Sequence, residues 1–434
     1  MRVLQAYRYV VDPTPAQARA CRSHLGARRF AFNWGLALVK SRLDARERGE
    51  DVVVPRTLPA LRREWNRTKA TAAPWWRENS KEAYSAGLDG LARALKNYFE
   101  SRIGKRVGPR IGFPQFRKKA RRQSVRFTTG AIRINDRTHI VLPRLGRIRT
   151  HEPTTALSER IHAGTARILS ATLSSDGDRL YVSFTCEVER GERQPSHPTS
   201  IVGVDAGIRH LAVLSTGEMV ANPRPLRKAL LKIVRLSRAL TRRQRGSGRW
   251  KDTVRRLGRA HARVAHIRAD AMHKLTTRLA RIHGTIVVEH LNVSGMLQNR
   301  RLARALADTG LGELRRQLGY KCLWYGSQLI QAPTFFPSSK TCSQCGATKA
   351  TLPLSAQVFH CDYCGAALDR DLNAAANLAA LAAVSVAGSG PETLTARGGD
   401  VRLAGRGEQS RMNREAGRAD AQKTGAAVLQ RAAV

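Results

Sequence analysis

The sequence predicts an α/β multidomain chain: a β-barrel domain carrying an inserted helical lobe, then an α/β domain carrying a cysteine-rich insertion. Three observations predict it. Residues 201–218, IVGVDAGIRHLAVLSTGE, read as a strand, a bend at Gly207, a second strand, a turn at Thr216-Gly217 and a return. Residues 125–190 alternate short apolar runs with turns. Residues 342–364 read C-x2-C-x15-C-x2-C and interrupt an otherwise apolar, periodic region.

In chain order, 3–11 (VLQAYRYVV) is a strand broken by Asp12-Pro13. Thr14 and Pro15 start a helix running to about Arg46, as a cap and a first-turn proline. Its aromatics Phe30 and Trp34 belong to a core face, and Arg28 and Arg29 to a nucleic-acid face. Helices are expected at 57–69 and 75–103, the second carrying Tyr84, Leu88, Leu91, Leu95 and Tyr98 at helical spacing. Residues 104–126 form a basic Gly/Pro loop. There Arg110, Arg117, Lys118, Lys119, Arg121 and Arg122 alternate with Phe113 and Phe116, which suits phosphate contacts and base stacking.

The clearest hairpin is 168–173, a turn at 175–178, and 180–188. Residues 191–199 read as a linker. Helices cover 224–281, broken at Gly246-Ser247-Gly248, with a basic outer face. Then come a strand at 285–289, a helix at 311–328, a last strand at 329–335, and a helix opening at Asp371. Residues 387–434, rich in Gly, Ala, Arg and Ser without an aromatic ring, read as a disordered basic tail.

Composition narrows the partners. In 434 residues, 76 Lys and Arg face 33 Asp and Glu, a formal net charge of +43 spread over nearly every segment. Such a charge opposes compaction unless an anion neutralises it, and a long nucleic acid gripped through its phosphates is the natural one. No apolar run is long enough to span a bilayer and the N-terminus has no signal-peptide core, so a cytoplasmic, nucleoid-associated protein is expected. Of seven cysteines, Cys21, Cys186 and Cys322 are scattered.

The clustered four, Cys342, Cys345, Cys361 and Cys364, have the spacing of two zinc knuckles, each followed by Gly. Four thiolates leave no open position, so the zinc they would hold is structural. Three carboxylates form the second constellation. Asp205 closes the run Ile201–Val204, Glu289 follows Ile286–Val288, and Asp371 opens the last helix. A carboxylate ending a buried strand is expensive unless a cation meets it. Together they describe an RNase H-like core whose carboxylates converge on two Mg²⁺ ions, hard cations that prefer oxygen.

GVDAGIRHLAVLS, VVEHLNVSGM and DRDLNAAANL after the cysteine pairs, with YRYVVDPTPAQ, RRFAFNWGL and PQFRKKARRQSVRFT, resemble the TnpB (OrfB) family of transposon-encoded proteins, relatives of type V CRISPR effector nucleases. The resemblance covers about residues 1–385. It implies a wedge β-barrel domain (1–12 and 104–195), a helical recognition lobe (13–103), a RuvC nuclease domain (196–334 and 367–386) and a zinc-ribbon insertion (335–366). It further implies a Mg²⁺-dependent RNA-guided DNA endonuclease, acting with a transposon-end guide RNA on double-stranded target DNA; a monomer is the working expectation, which the sequence does not fix. By motif, Asp205, Glu289 and Asp371 match the three RuvC carboxylates. His290 stands where the family often has an acid, and Asp369 competes with Asp371. Arg268 and Asn373 are candidates for supporting the substrate phosphate. An RNA-guided repressor without cleavage and a transposase are the alternatives.

Overall fold

The computed structural model describes residues 1–119, 122–177, 179–353 and 355–387, so Arg121 and the tail at 388–434 lie outside the described residues. Two compact units divide the chain, Met1–Gly191 and Glu192–Val434.

In the first unit, β1 (Arg2–Asp12) leads into α1 (Pro15–Glu47). The predicted start is realised as a capping box. Thr14 Oγ1 accepts from Gln17 N at 3.3 Å, and Gln17 Oε1 accepts from Thr14 N at 3.1 Å. Next come α2 (Leu58–Ala72) and α3 (Lys81–Arg102). The last begins six residues later than expected. Trp76–Glu78 forms a single 3₁₀ turn, and Ser80 then caps α3 through Glu82 N while its own N–H donates to buried His24. The strands β2 (Arg122–Phe127), β3 (Arg133–Asp136), β4 (His139–Leu142) and β5 (Gly146–Thr150) follow. A short, unforeseen helix α4 (Thr155–His162) precedes the hairpin β6 (Ala166–Asp176) and β7 (Arg179–Glu189).

These seven strands form one antiparallel sheet in the order β2-β6-β7-β1-β5-β4-β3. Among the described residues no ladder joins β2 to β3, so the hydrogen-bonded sheet of the domain read as barrel-like is open between these two strands. The helices inserted between β1 and β2 pack on this sheet and share its core. Leu25, Phe32, Leu36, Leu88 and Leu91 are continuous with Phe127, Ile148, Val182 and Phe184. The inserted helices therefore form a layer on the sheet.

The second unit is built on β8 (His197–Asp205), β9 (His210–Leu214) and β10 (Met219–Ala221), followed by the helical hairpin α5 (Pro225–Thr241) and α6 (Gly248–Ile282). Then come β11 (His283–Val288), α7 (Val293–Met296), α8 (Ala303–Thr309), α9 (Leu311–Tyr325) and β12 (Gln328–Gln331). The cysteine-rich insertion contains β13 (Val358–His360) and β14 (Ala367–Asp369), and α10 (Arg370–Ala387) ends the described chain.

The sheet order is β10-β9-β8-β11-β12, with β8, β11 and β12 parallel and β9 and β10 antiparallel to their neighbours. The strand β8 starts inside the segment read as a linker. Pro198 lies where the β8–β11 register shifts, between the pairs His197–His283 and Ile201–Thr285, and Gly284 there lets the two backbones meet; a Cβ on Gly284 would lie 1.6 Å from the Pro198 carbonyl oxygen. The strand β12 ends before Pro333, which cannot extend the ladder, so it is shorter than expected. One sheet face packs Val202, Ile286 and Val288 against Met272, Leu275 and Leu318 of α6 and α9. The other packs Val287 against Leu378 and Ala382 of α10. No helix among the described residues is long and apolar enough to cross a membrane.

Candidate metal centres and nucleic-acid surface

Parallel register fixes the first two carboxylates. Val204 pairs with Val288, so Asp205 and Glu289 leave the C-terminal ends of adjacent strands, about 4.8 Å apart in the hydrogen-bonding direction. Gly203 fixes the third. A Cβ there would sit 1.9 Å from the Ala375 carbonyl oxygen and 2.7 Å from Ala379 N, so only glycine lets α10 cross β8 backbone to backbone. That crossing brings the first turn of α10, with Asp371, to the same edge of the sheet.

The electrostatics agree. Asp205 is raised from 3.8 to about 8, first by burial, then by Glu289 and Asp371; Arg370 opposes this and Asp369 adds to it. The oxygens of Asp205, Glu289 and Asp371 do not all come within 4.8 Å of one another; among the described residues only the four cysteines bring their ligand atoms that close.

Asp369 and Asp371 have different duties. The Asp369 Oδ1 accepts from Asp371 N at 3.0 Å and Leu372 N at 3.1 Å, which occupies it as the cap of α10. Asp371 is left half-buried in the first helical turn. Glu289 accepts a hydrogen bond from the buried Ser338 hydroxyl. His290 is exposed and lies 3.4 Å from Thr334 Oγ1.

At the cysteine cluster, Cys342 and Cys364 Sγ are 3.7 Å apart and Cys345 and Cys361 Sγ 3.5 Å apart. A disulfide needs about 2.0 Å. Thiolates at about 2.3 Å from one tetrahedral zinc sit roughly 3.8 Å from each other, so the spacing fits zinc and not a bridge. The two halves repeat one turn. Gly346 N donates to Cys342 O and Cys342 N to Ala347 O, as Gly365 N does to Cys361 O and Cys361 N to Ala366 O. Both glycines hold positive φ, 78° and 74°, as such a knuckle requires. Backbone N–H groups of Cys364 and Tyr363 pull the Cys361 thiol down to about 6.

The ribbon is fastened to α10 by two asparagines. Asn373 Oδ1 accepts from Ser343 N at 2.8 Å and its amide donates to Thr341 O at 2.7 Å. Asn377 donates to Ser338 O and Thr341 O, each at 2.7 Å. Asn373 is buried and fully engaged in this docking, so the structure removes it as a phosphate contact. Ser338 and Asn377 were missed in the sequence. The readable signal was the Asn pair four residues apart in DLNAAANL, two amides on one face of an otherwise apolar helix.

The other basic and aromatic candidates are scattered. Arg268 pairs with buried Asp308 at 3.3 Å, which also accepts from Leu226 N and Arg227 N at the start of α5. Arg110, Lys118 and Lys119 are exposed, and Arg122 is exposed and bonds Asp176 at 3.1 Å. Arg117 stacks over Phe32 at 3.8 Å, its backbone held by Asn33. Phe116 is half-exposed, with Lys40 over its ring, whereas Phe113 packs edge-on against Tyr98 in the core. Arg28 is spent internally on Ser124, while Phe30 and Trp34 join the Trp65 aromatic cluster, as expected of core residues.

Three family models match the chain: a "Helix-turn-helix domain" over residues 1–48, a "Probable transposase" (OrfB of IS605 type) over 183–300, and a "Cas12f1-like, TNB domain" over 312–378. In this structure residues 1–48 are a strand and one unbroken helix. A "Putative RNA-guided DNA endonuclease" of Mycobacterium tuberculosis H37Rv is 42% identical over 399 residues, covering 87% of this chain and 86% of the relative. The chain belongs to the TnpB (OrfB) family. The "Putative RNA-guided DNA endonuclease InsQ" of Escherichia coli K12 is 32% identical to this TnpB-family chain over 396 residues, covering 88% of it and 92% of the relative. A Cas12f1–sgRNA–target DNA complex overlaps 87% of this TnpB-family chain and 99% of its own at 13% identity and a TM-score of 0.33, too loose an overlap to place any residue.

Proposed function

We propose that this TnpB-family protein is an RNA-guided DNA endonuclease whose cleavage centre is the carboxylate edge of the second unit. The observation that carries the site is the register that sets Asp205 beside Glu289 while Gly203 admits α10 with Asp371. Relatives named as RNA-guided DNA endonucleases supply the activity. We read the second unit as an RNase H-like RuvC domain with a zinc ribbon, and the first as the wedge domain with its recognition helices.

The donor set fits a hard divalent cation: Asp205, Glu289 and Asp371 are oxygen donors, and burial, with repulsion from Glu289 and Asp371, raises Asp205. We read the site as one for two such ions, each held by part of this carboxylate set. Bound Mg²⁺ would polarise the phosphate and supply a water of lowered pKa. The chain's own residues keep this edge ready. Ser338 orients Glu289, Asp369 holds the start of α10, and Arg370 offsets part of the negative charge. The cysteines would hold structural zinc and, through Asn373 and Asn377, keep the ribbon on α10. The exposed Arg110, Lys118, Lys119 and Arg122 offer phosphate contacts, which suits a guide RNA and a duplex target.

The purified protein is expected to carry one defined RNA species. Replacing the segment of that RNA that pairs with the target should redirect cleavage to a matching duplex. Protein that co-purifies without a defined RNA, or that cuts regardless of it, would sink this reading.

A further inference from the structure

Beside the carboxylate edge, and sharing Glu289 with it, lies a cavity of about 670 Å³ whose other lining residues the cleavage reading does not use. Its floor is apolar, with Val204, Leu311, Leu314 and Ala332, while Glu289, His290 and Arg315 give it a polar rim. Phe335 stands at this cavity and is 96% exposed. Its backbone has φ 65°, a region that suits glycine and penalises an aromatic residue. Among the described residues its ring has no aromatic or cationic partner. The next residue, Phe336, does what a phenylalanine ordinarily does and packs against Val287, Leu378 and Ala382.

Two unfavourable choices thus coincide at one residue: a large ring left in water and a left-handed backbone. The tight turn that produces both is built by Phe336 N donating to Pro333 O at 3.1 Å and Ser338 N to Phe336 O at 2.9 Å. The same turn ends in Ser338, which holds Glu289. Strained residues persist where their neighbours over-determine them, and they cluster where a ligand is gripped.

We propose that Phe335 is a stacking platform for an unpaired nucleobase of single-stranded DNA, held over this cavity beside the carboxylate edge. An unpaired base offers the π-face that a bare ring needs, whereas a duplex hides it. Exposed Arg315 lines the same cavity and would meet the adjoining phosphate, and Glu289, also in its lining, ties the subsite to the reacting edge. A chain of net charge +43 already favours a polyanionic occupant over an apolar peptide. The inference rests on the endonuclease reading for its geometry, but its test reads binding and not cleavage.

The test uses the full chain with its co-purifying RNA, in an Asp205→Ala background. The probe is a short single-stranded DNA unrelated to that RNA, with 2-aminopurine in place of adenine. The parent should bind it and quench the 2-aminopurine by stacking. Phe335→Ala and Phe335→Gly should weaken binding about five- to a hundredfold and abolish the quench, the loss expected for one stacked base. Phe335→Trp and Phe335→Tyr should stay within about twofold. Phe335→Gly should melt no lower than the parent, since glycine relieves the backbone, which separates lost stacking from lost folding. Unchanged affinity and quench in Phe335→Ala, an unquenched parent, or Tyr as weak as Ala would each overturn the platform. Separately, a wild-type complex that never cuts DNA would fail the endonuclease reading while leaving the fluorescence result standing on its own.

Discussion

Asp205→Asn is expected to slow DNA cleavage drastically and, in magnesium-free solution, to make the protein more stable. The sign follows from crowding. The carboxyl is raised from 3.8 to about 8 by burial and by Glu289 and Asp371. Between those values the folded protein keeps a proton that the unfolded chain releases. Stability is therefore fully present below about pH 4 and drains away as pH rises towards 8. Asparagine keeps the shape and removes the charge, so the unfavourable ionisation vanishes. Asp205 retains some solvent contact, so the gain at pH 8 is a fraction of the nominal shift: about 1 kcal/mol or more, or roughly 2–4 °C for a unit of this size. Magnesium should raise the melting temperature of the wild type and leave Asp205→Asn unmoved. Cleavage should fall on the order of 10³-fold, the loss typical of removing a principal charge-stabilising group. A variant that melts lower than the wild type in magnesium-free buffer at pH 8 would contradict the crowding, and one that cuts at the wild-type rate would contradict the role.

Removing the zinc should produce the largest loss of stability. Four sulfurs held at 3.5–3.7 Å across the cluster are a preformed cage, and a structural zinc in a small ribbon is worth about 10–16 kcal/mol of apparent binding free energy. The ribbon has few other resources, since its buried apolar set is Cys342, Phe359 and Cys361. Cys342→Ser, or a strong chelator, should melt it. Because Asn373 and Asn377 fasten the ribbon to α10 and Ser338 reaches Glu289, the damage should spread to the carboxylate edge. The expected result is one zinc per chain by elemental analysis, a fall of more than about 10 °C in the transition of the second unit, and weakened magnesium binding. Proton competition should make zinc loss steepen as pH falls, because each thiolate ligand must be deprotonated to bind. An unchanged melting temperature on zinc removal would refute a structural role.

Much of this was legible in the chain because its signals are local. Thr14-Pro15 reads as a helix start and forms one, and the two CxxCG knuckles read as zinc turns and adopt that geometry. The strand ends at Asp205 and after Val288 were readable from unbroken apolar runs. What escaped depends on distant partners. Whether β2 and β3 close a barrel is decided by ladders, not by any residue in either strand. The start of α3 was misplaced because Ser80 competes with Pro74-Trp75-Trp76 and wins by capping while bonding His24, which lies 56 residues away. Asn373 was read for its neighbour Asp371, but the face it shares with Asn377 points to the ribbon. Gly203 is the clearest case: in IVGVD it looks like a weak point in a strand, and only the crossing of α10 explains it.

The most direct test is an anomalous difference map from crystals of the RNA-bound protein grown with Mn²⁺ in place of Mg²⁺. Peaks are predicted between the carboxylates of Asp205, Glu289 and Asp371, with Asp369 still capping α10. A map with no peak at that edge, or with Asp369 as the ligand and Asp371 turned away, would contradict it.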